Sequence, residues 1–319
     1  MADLLVPGYN DANRAFLQAL LARNTLTWET AKPLLAVLAS IREGQNVSSN
    51  DITQDDLDAY ISKTNMALSP LDMEIRSTLH QLTRERIYAL VNTTSDPIMQ
   101  LATTYSADEI AFVKKMLDAM FDGAANRGKN ELMCLSGIQV VQLAKNTGRR
   151  ETQGDATQPN QPRLTGHEAE ELVRKLEAEG WLEKSESGFY TLSARALMEL
   201  KGWLVETYNE DEDGQDGIRL QKIKFCHACK EIITVGQRCP QSECPCRLHD
   251  ICTQNFFRSQ RSRTCPLCKT EWDGKSYVGE RVVISPDRQP IGGRSRRSTG
   301  RGARANGDNN ESDDHEDMT

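Results

Sequence analysis

The sequence lacks the features that would place the chain in or across a membrane. Its first residues, Met-Ala-Asp-Leu-Leu-Val-Pro-Gly, do not combine a basic stretch with an apolar run, as a secretory signal would. No apolar run approaches the roughly 18 residues that a membrane helix needs. We therefore expect an intracellular protein that has no membrane partner.

An excess of positive charge is also missing. The formal net charge is −7, which argues against the whole protein being a nucleic-acid coat, although a local basic surface stays compatible with that value. At 319 residues with two shifts in composition, the chain is long enough for two or three domains.

Cysteine is nearly missing from most of the chain. Of nine cysteines, only Cys134 lies outside the window 226–268. In a reducing compartment, clustered cysteines bind metal more often than they form disulfides. The window therefore predicts metal binding.

Three pairs of candidate ligands in this window leave two residues between their donors, a spacing that presents both donors to one tetrahedral zinc. The candidate ligands are, in order, Cys226, Cys229, Cys239, Cys244, His249, Cys252, Cys265 and Cys268. Eight donors fit two closed sites of four, which is typical of structural zinc. The predicted cofactor is therefore zinc, as two ions.

Interleaved pairing of these ligands predicts a cross-brace of two sites. One zinc would be held by Cys226, Cys229, His249 and Cys252, and the other by Cys239, Cys244, Cys265 and Cys268. Cys246 is an alternative to Cys244. We favour Cys244, because four residues then separate it from His249, whereas Cys246 leaves only two.

Two module types share this ligand order, variant RING domains and PHD fingers. PHD fingers usually carry an aromatic residue two positions before the last Cys pair, where this chain has Arg263. The run Cys265-Pro-Leu-Cys268 looks like the Cys-Pro-x-Cys ending of RING domains that hold a ubiquitin-conjugating enzyme. We favour RING, and a chromatin-reading PHD finger stays the weaker alternative.

Upstream of the zinc window, three helices followed by two strands occur twice, which is the pattern of a winged helix. In the first unit we predict helices Asp11–Arg23, Trp28–Ile41 and Gln54–Met66, then strands within Leu71–Leu82 and Arg86–Asn92. In the second we predict helices Ala107–Met120, Glu131–Ala144 and Thr165–Glu179, strands at 180–184 and 189–193, and a last helix Ala194–Tyr208.

The predicted fold class is mainly α with small β wings, in tandem winged-helix domains followed by a RING-like cross-brace zinc module. The predicted domains are a first winged helix at 8–92, a second at 93–208, an acidic linker at 209–222, the variant RING module at 223–285 and a disordered tail at 286–319. We also expect a mobile loop at Asn146–Pro162 and a strand within Tyr277–Ile284.

Charge favours protein docking over DNA reading by the winged helices. The third-helix region of the first unit carries four Asp between residues 51 and 58, and the third helix of the second unit is net acidic. Neither suits a DNA groove. The tail has six Arg from Arg288 to Arg304, which could give non-specific DNA contact or act in nuclear targeting.

The chain resembles the family of non-SMC element one, the RING-containing subunit of the SMC five–six complex, over about residues 8–285. The stretches that carry the resemblance are Asn13-Arg-Ala-Phe-Leu-Gln18, Arg86-Ile-Tyr-Ala-Leu-Val-Asn92, Gly180-Trp-Leu182, Phe189-Tyr-Thr-Leu192, Gly236-Gln-x-Cys239, Arg247-Leu-His-x-x-Cys252 and Cys265-Pro-x-Cys268. The match at Arg247-x-His249 also places Cys244 as the ligand.

The resemblance implies a nuclear, chromosome-associated subunit in DNA repair and recombination. It implies that the winged helices dock a MAGE-type non-SMC element subunit, and that this pair joins a kleisin-type subunit near the SMC five–six heterodimer. The zinc module should give ubiquitin ligase activity, stimulated by the MAGE-type partner. A RING ligase has no nucleophile, and it acts by holding a ubiquitin-charged conjugating enzyme in a reactive pose.

Several positions depart from active RING domains. Ala228 stands where many carry a larger apolar contact, Lys269 follows the last ligand in place of an Arg, and Phe256 and Phe257 replace a Trp. We therefore expect weak activity in isolation, and the competing hypothesis is an architectural subunit without transferase activity. The conjugating-enzyme contact is expected at Ile232, Ile233, Val235, Pro266 and Leu267.

Overall fold

A computed structural model of the chain describes residues 7–93, 104–123, 126, 130–148, 164–209, 221–260 and 262–284. Most of the predicted loop at 146–162 and of the predicted linker at 209–222 lies outside the described residues, and so does the whole predicted tail at 286–319. Within the described ranges, no helix is both long enough and apolar enough to cross a membrane.

The first domain has the element order of a winged helix. Its elements are α1 (Asp11–Arg23), β1 (Thr25–Thr27), α2 (Trp28–Glu43), α3 (Gln54–Leu68), a 3-10 turn (Ser69–Leu71), β2 (Met73–Leu79) and β3 (Arg86–Asn92). The antiparallel sheet has the order β1-β3-β2. The hairpin of β2 and β3 is the first wing, and residues 80–85 form its tip.

Capping side chains begin the three helices of this domain. Asn10, Thr27 and Thr53 each accept a hydrogen bond from a backbone N–H of the first turn, as N-cap residues do. The apolar faces of the helices then meet over the sheet, where Phe16 and Leu57 are buried.

The second domain repeats the order. Its elements are α4 (Ala107–Phe121), β4 (Leu135–Ser136), α5 (Gly137–Gly148), α6 (Gly166–Ala178), β5 (Leu182–Lys184) and β6 (Phe189–Leu192), with sheet order β4-β6-β5. The hairpin of β5 and β6 is the second wing. Two short helices follow, α7 (Ala194–Glu199) and α8 (Lys201–Asn209). The predicted fold class of tandem winged helices is confirmed.

Local differences from the predicted elements have physical causes. The predicted helix Glu131–Ala144 begins only at Gly137, because Met133 has a positive φ of 50° and Leu135–Ser136 pairs with β6. The predicted last helix is two helices that meet at Leu200. Strand β1 is absent from the sequence prediction, since three residues give no alternating pattern.

The zinc module contains a small sheet of order β8-β7-β9, built from β7 (Gly236–Arg238), β8 (Arg247–Leu248) and β9 (Tyr277–Val278). Helix α9 (Asp250–Gln260), which the sequence reading did not predict, follows β8. The short strand predicted within Tyr277–Ile284 is β9, at 277–278, and Arg281–Ile284 forms a short helix, α10. Gly236 is required, because a Cβ there would lie 2.4 Å from the carbonyl oxygen of Leu248.

The hydrophobic core of the second winged helix extends into the zinc module. Ile223, Ile232 and Val278 of the module lie in one buried cluster with Leu204 and Tyr208 of α8. The module is therefore held against the second domain by apolar burial as well as by polar contacts.

Candidate metal centre

The structure gathers the first set of candidate ligands at one point. The donor atoms of Cys226, Cys229, His249 and Cys252 all lie within 4.8 Å of one another. The imidazole Nδ1 of His249 is 3.3 Å from Sγ of Cys229 and 3.9 Å from Sγ of Cys252.

Turns and short elements close in the chain determine the positions of these four donor atoms. Cys226 and Cys229 lie on a turn closed by the bridge between Phe225 and Ile232, and the N–H of Lys230 donates to the carbonyl of Cys226 at 2.9 Å. Lys230 has a φ of 63°, which turns the chain sharply after the second cysteine. The other two donors lie just after β8 and in the first turn of α9.

A carbonyl oxygen fixes the orientation of the His249 ring. Nε2 of His249 lies 3.1 Å from the carbonyl oxygen of Ile232. Because a carbonyl only accepts, Nε2 carries the proton, and Nδ1 presents its lone pair to the three sulfurs. A hydrogen bond of this kind is the usual partner of a metal-binding histidine.

The second set of ligands forms a separate cluster. The donors of Cys239, Cys244, Cys265 and Cys268 lie within 4.8 Å of one another, with sulfur–sulfur distances of 3.4 Å from Cys239 to Cys268 and 3.6 Å from Cys244 to Cys265. Lys269 repeats the turn of the first cluster, with a φ of 63° and an N–H that donates to Cys265.

Cys246 lies outside both clusters of donors. Its side chain is buried, and burial raises the pKa of its thiol. Its carbonyl accepts from the N–H of Cys239, so the residue helps to hold the loop that carries Cys244.

The thiol of Cys268 is set up to lose its proton. Sγ of Cys268 lies 3.3 Å from the hydroxyl of Thr270. In the thiolate form the sulfur accepts from the hydroxyl and the N–H of Thr270, which lowers the pKa of Cys268 to about 6. The thiolate is the form that binds metal. In the first cluster, hydrogen bonding from Cys229 lowers the pKa of Cys226.

The donor sets fit zinc. Two groups of four, with seven sulfurs and one imidazole nitrogen, are the composition of closed structural zinc sites. Neither group contains an oxygen donor, so neither has the ligand chemistry that calcium or magnesium prefers.

The predicted conjugating-enzyme surface is corrected at two positions. Ile232 is 3% exposed and Ile233 is 1% exposed, because Ile232 joins the core of the second winged helix and Ile233 lies beneath β7. Neither side chain is available to a partner. Val235 and Pro266 are half-buried, and Leu267 is 48% exposed.

Sequence reading missed the side chains of the winged helices that support the two sites. Gln81, at the tip of the first wing, hydrogen-bonds the backbone of the segment 232–235. Glu131 of the second domain forms a buried ion pair with Arg247 of β8. These contacts span 116 to 154 positions of the chain, and no local pattern predicts them.

Comparisons with known proteins agree with this architecture. The family described as "Nse1 non-SMC component of SMC5-6 complex" matches residues 13–200, and the one described as "RING-like domain" matches residues 226–268. The chain is similar to the "Non-structural maintenance of chromosomes element 1 homolog" of Homo sapiens, at 26% identity over 262 residues, which are 82% of this chain and 84% of that protein.

A yeast protein and a solved structure give the same picture. The "Non-structural maintenance of chromosomes element 1" of Schizosaccharomyces pombe is 23% identical over 272 residues, covering 85% of this chain and 96% of the relative. A chain of a structure titled "Nse1-Nse3-Nse4 complex" matches with a TM-score of 0.63 at 24% identity, covering 83% of this chain and 97% of that chain. The fold is therefore shared with that structure.

Proposed function

The chain belongs to the Nse1 family of non-SMC components of the SMC5-6 complex, and from this membership we propose that it is a RING-type ubiquitin ligase subunit. In this proposal, the zinc module positions a ubiquitin-charged conjugating enzyme. It supplies no nucleophile, and its effect is to hold the thioester where an acceptor amine attacks it.

The observation that carries the proposal is the exposed turn of the second cluster. Pro266 and Leu267 lie between two zinc-ligand cysteines, and Leu267 leaves 48% of its surface exposed. Zinc bound by the two clusters would cross-link the ligand loops and so hold this turn in one place. A rigid turn with an apolar side chain at its tip is suited to a partner contact.

The winged helices are proposed to dock the other subunits. The relative of known structure is titled "Nse1-Nse3-Nse4 complex", and by analogy we propose a MAGE-type partner, a kleisin-type partner and the SMC heterodimer. On α2 of the first domain, Val37 and Ile41 lie one turn apart and are 57% and 76% exposed, which favours a protein contact. The proposed location is the nucleus, with non-specific DNA contact by the tail.

A discharge assay tests the ligase proposal. The full-length, zinc-loaded chain is mixed with a ubiquitin-charged conjugating enzyme, with and without the MAGE-type partner, and loss of the thioester is followed. We expect slow discharge alone, faster discharge with the partner, and at least a fivefold loss for Leu267→Ala. Ile138→Ala is the matched control, because Ile138 is 72% exposed on the second domain, outside the zinc module.

An architectural role is the second candidate function. It is favoured by the burial of Ile232, which lies in one cluster with the core of the second winged helix. If no conjugating enzyme is discharged with the partner present, and the subunits still assemble, the ligase proposal is wrong and the architectural role replaces it. Specific binding of histone peptides without discharge would instead favour the PHD alternative.

A further inference from the structure

The side-chain amide of Gln81 makes a set of hydrogen bonds that crosses from the first winged helix to the zinc module. Its Nε2 donates to the carbonyl oxygen of Ile232 at 3.1 Å. Its Oε1 accepts from the backbone N–H groups of Thr234 and Val235, each at 3.0 Å, and from the hydroxyl of Thr234 at 3.3 Å. One side chain therefore hydrogen-bonds both ends of the four-residue segment 232–235.

The carbonyl of Ile232 joins Gln81 to the first metal cluster. The same oxygen accepts from Nε2 of His249 at 3.1 Å and from Nε2 of Gln81 at 3.1 Å. A carbonyl oxygen has two lone pairs, so these two donors occupy both. The contact to His249 sets the tautomer that presents Nδ1 to the cysteines, and the contact to Gln81 fixes where that oxygen lies.

The wing tip that carries Gln81 is itself held in place. His80, its neighbour, makes a hydrogen bond of 2.9 Å from Nε2 to the carboxylate of Glu183 on the second wing. The two wings are thereby joined next to the segment that Gln81 binds. This anchoring gives the Gln81 amide a fixed position from which to act.

We propose that Gln81 is a positioning residue for the first zinc site. It acts through the carbonyl of Ile232, which orients the His249 ring, so the first winged helix contributes to the outer shell of a site in another domain. The inference rests on the proposed zinc sites, and it is independent of whether the module transfers ubiquitin. A partner that moves the first winged helix would therefore act on the first zinc site through Gln81 and the carbonyl of Ile232.

The test compares Gln81→Ala and Gln81→Glu with wild type in the full-length, zinc-loaded chain. Zinc is withdrawn with a chelator in excess, and cysteines are alkylated in timed pulses and mapped by mass spectrometry. We expect Cys229 and Cys252 of the first cluster to be alkylated about tenfold faster in Gln81→Ala, the lower end of typical outer-shell effects. Cys239 and Cys265 of the second cluster should keep their wild-type rates.

Gln81→Glu separates the two halves of the contact. A carboxylate can still accept from Thr234 and Val235, but it has no proton for the carbonyl of Ile232 and repels its oxygen. The Gln81→Glu variant should therefore lose zinc from the first site as fast as Gln81→Ala does. Gln54→Ala is the control, since Gln54 bonds Asp58 and Tyr88 within the first domain.

Each other outcome overturns the proposal. Unchanged rates, or equal acceleration at both clusters, would make Gln81 at most a general stabiliser of the fold. Wild-type rates in Gln81→Glu would rule out the route through Ile232. A chain that carries no zinc at the start would contradict the proposed metal sites themselves, which is a distinct result.

Discussion

Removal of the Glu131 carboxylate should destabilise the chain more than removal of one partner of an exposed ion pair does. Glu131 and Arg247 form a bidentate pair, with Nε to Oε2 at 2.7 Å and Nη2 to Oε1 at 2.5 Å, and each side chain is 4% exposed. Nη1 of Arg247 also donates to the carbonyls of Cys244 and Cys246. The pair therefore connects the second winged helix to the loop of the second metal cluster.

The expected magnitude follows from the burial of the charges. Glu131→Gln leaves a guanidinium out of water without its counter-charge, which costs about 3–5 kcal/mol of unfolding free energy. The double variant Glu131→Leu with Arg247→Met removes both charges, so it should cost less than the single variant. Its remaining cost is about 1–3 kcal/mol, since the carbonyls of Cys244 and Cys246 lose their donor.

Urea unfolding of the zinc-loaded chain at a fixed zinc concentration measures these differences. The matched control is Lys201→Ala, because Lys201 pairs with Glu231 across the same two domains at 2.8 Å but with 41% and 51% of the side chains exposed. An exposed pair contributes about 0–1 kcal/mol. If Glu131→Gln costs no more than Lys201→Ala, or if the double variant is worse than the single one, our account of this pair is refuted.

Two further predictions concern a histidine and the choice of metal ligand. The Glu183 carboxylate raises the pKa of His80 in the folded chain above its ordinary 6.5, so the stabilisation is complete below that value and is lost as pH rises through the raised pKa. The difference in Tm between wild type and His80→Ala should therefore shrink with increasing pH, and a constant difference would contradict the contact. Native mass spectrometry should find two zinc ions per chain in Cys246→Ser and one in Cys244→Ser. The reverse pattern would show that Cys246, and not Cys244, is the metal ligand.

The parts of the fold that sequence predicts well are those with a local cause. The helices Asp11–Arg23 and Gln54–Leu68 follow from apolar spacing and from capping residues that lie next to them in the chain. The helical signal in the sequence covers Glu131–Ala144 and so includes the segment 131–136. The segment is not helical, because Met133 has a left-handed φ of 50° and Leu135–Ser136 pairs with β6. The side chains from Leu132 to Leu135 are buried, and Glu131 pairs with Arg247.

The metal ligands could be proposed from spacing alone, since each pair is local and the donor types are few. The partner surface could not, because exposure depends on what the rest of the chain covers. Ile232 and Ile233 look like an available apolar pair in the sequence, yet the second domain and β7 enclose them. Gln81 resembles any polar residue of a hairpin tip, and only the tertiary arrangement gives it a partner.

The buried cluster shared by the second winged helix and the zinc module bears on how the protein is divided for experiments. A fragment that begins at residue 223 would lay bare Ile223, Ile232 and Val278, which face Leu204 and Tyr208 in the intact chain. Because this apolar surface would be exposed to solvent, such a fragment would tend to aggregate. A truncated protein that keeps residues from 104 onward retains both halves of this cluster. It loses Gln81, however, and with it the hydrogen bonds to the segment 232–235.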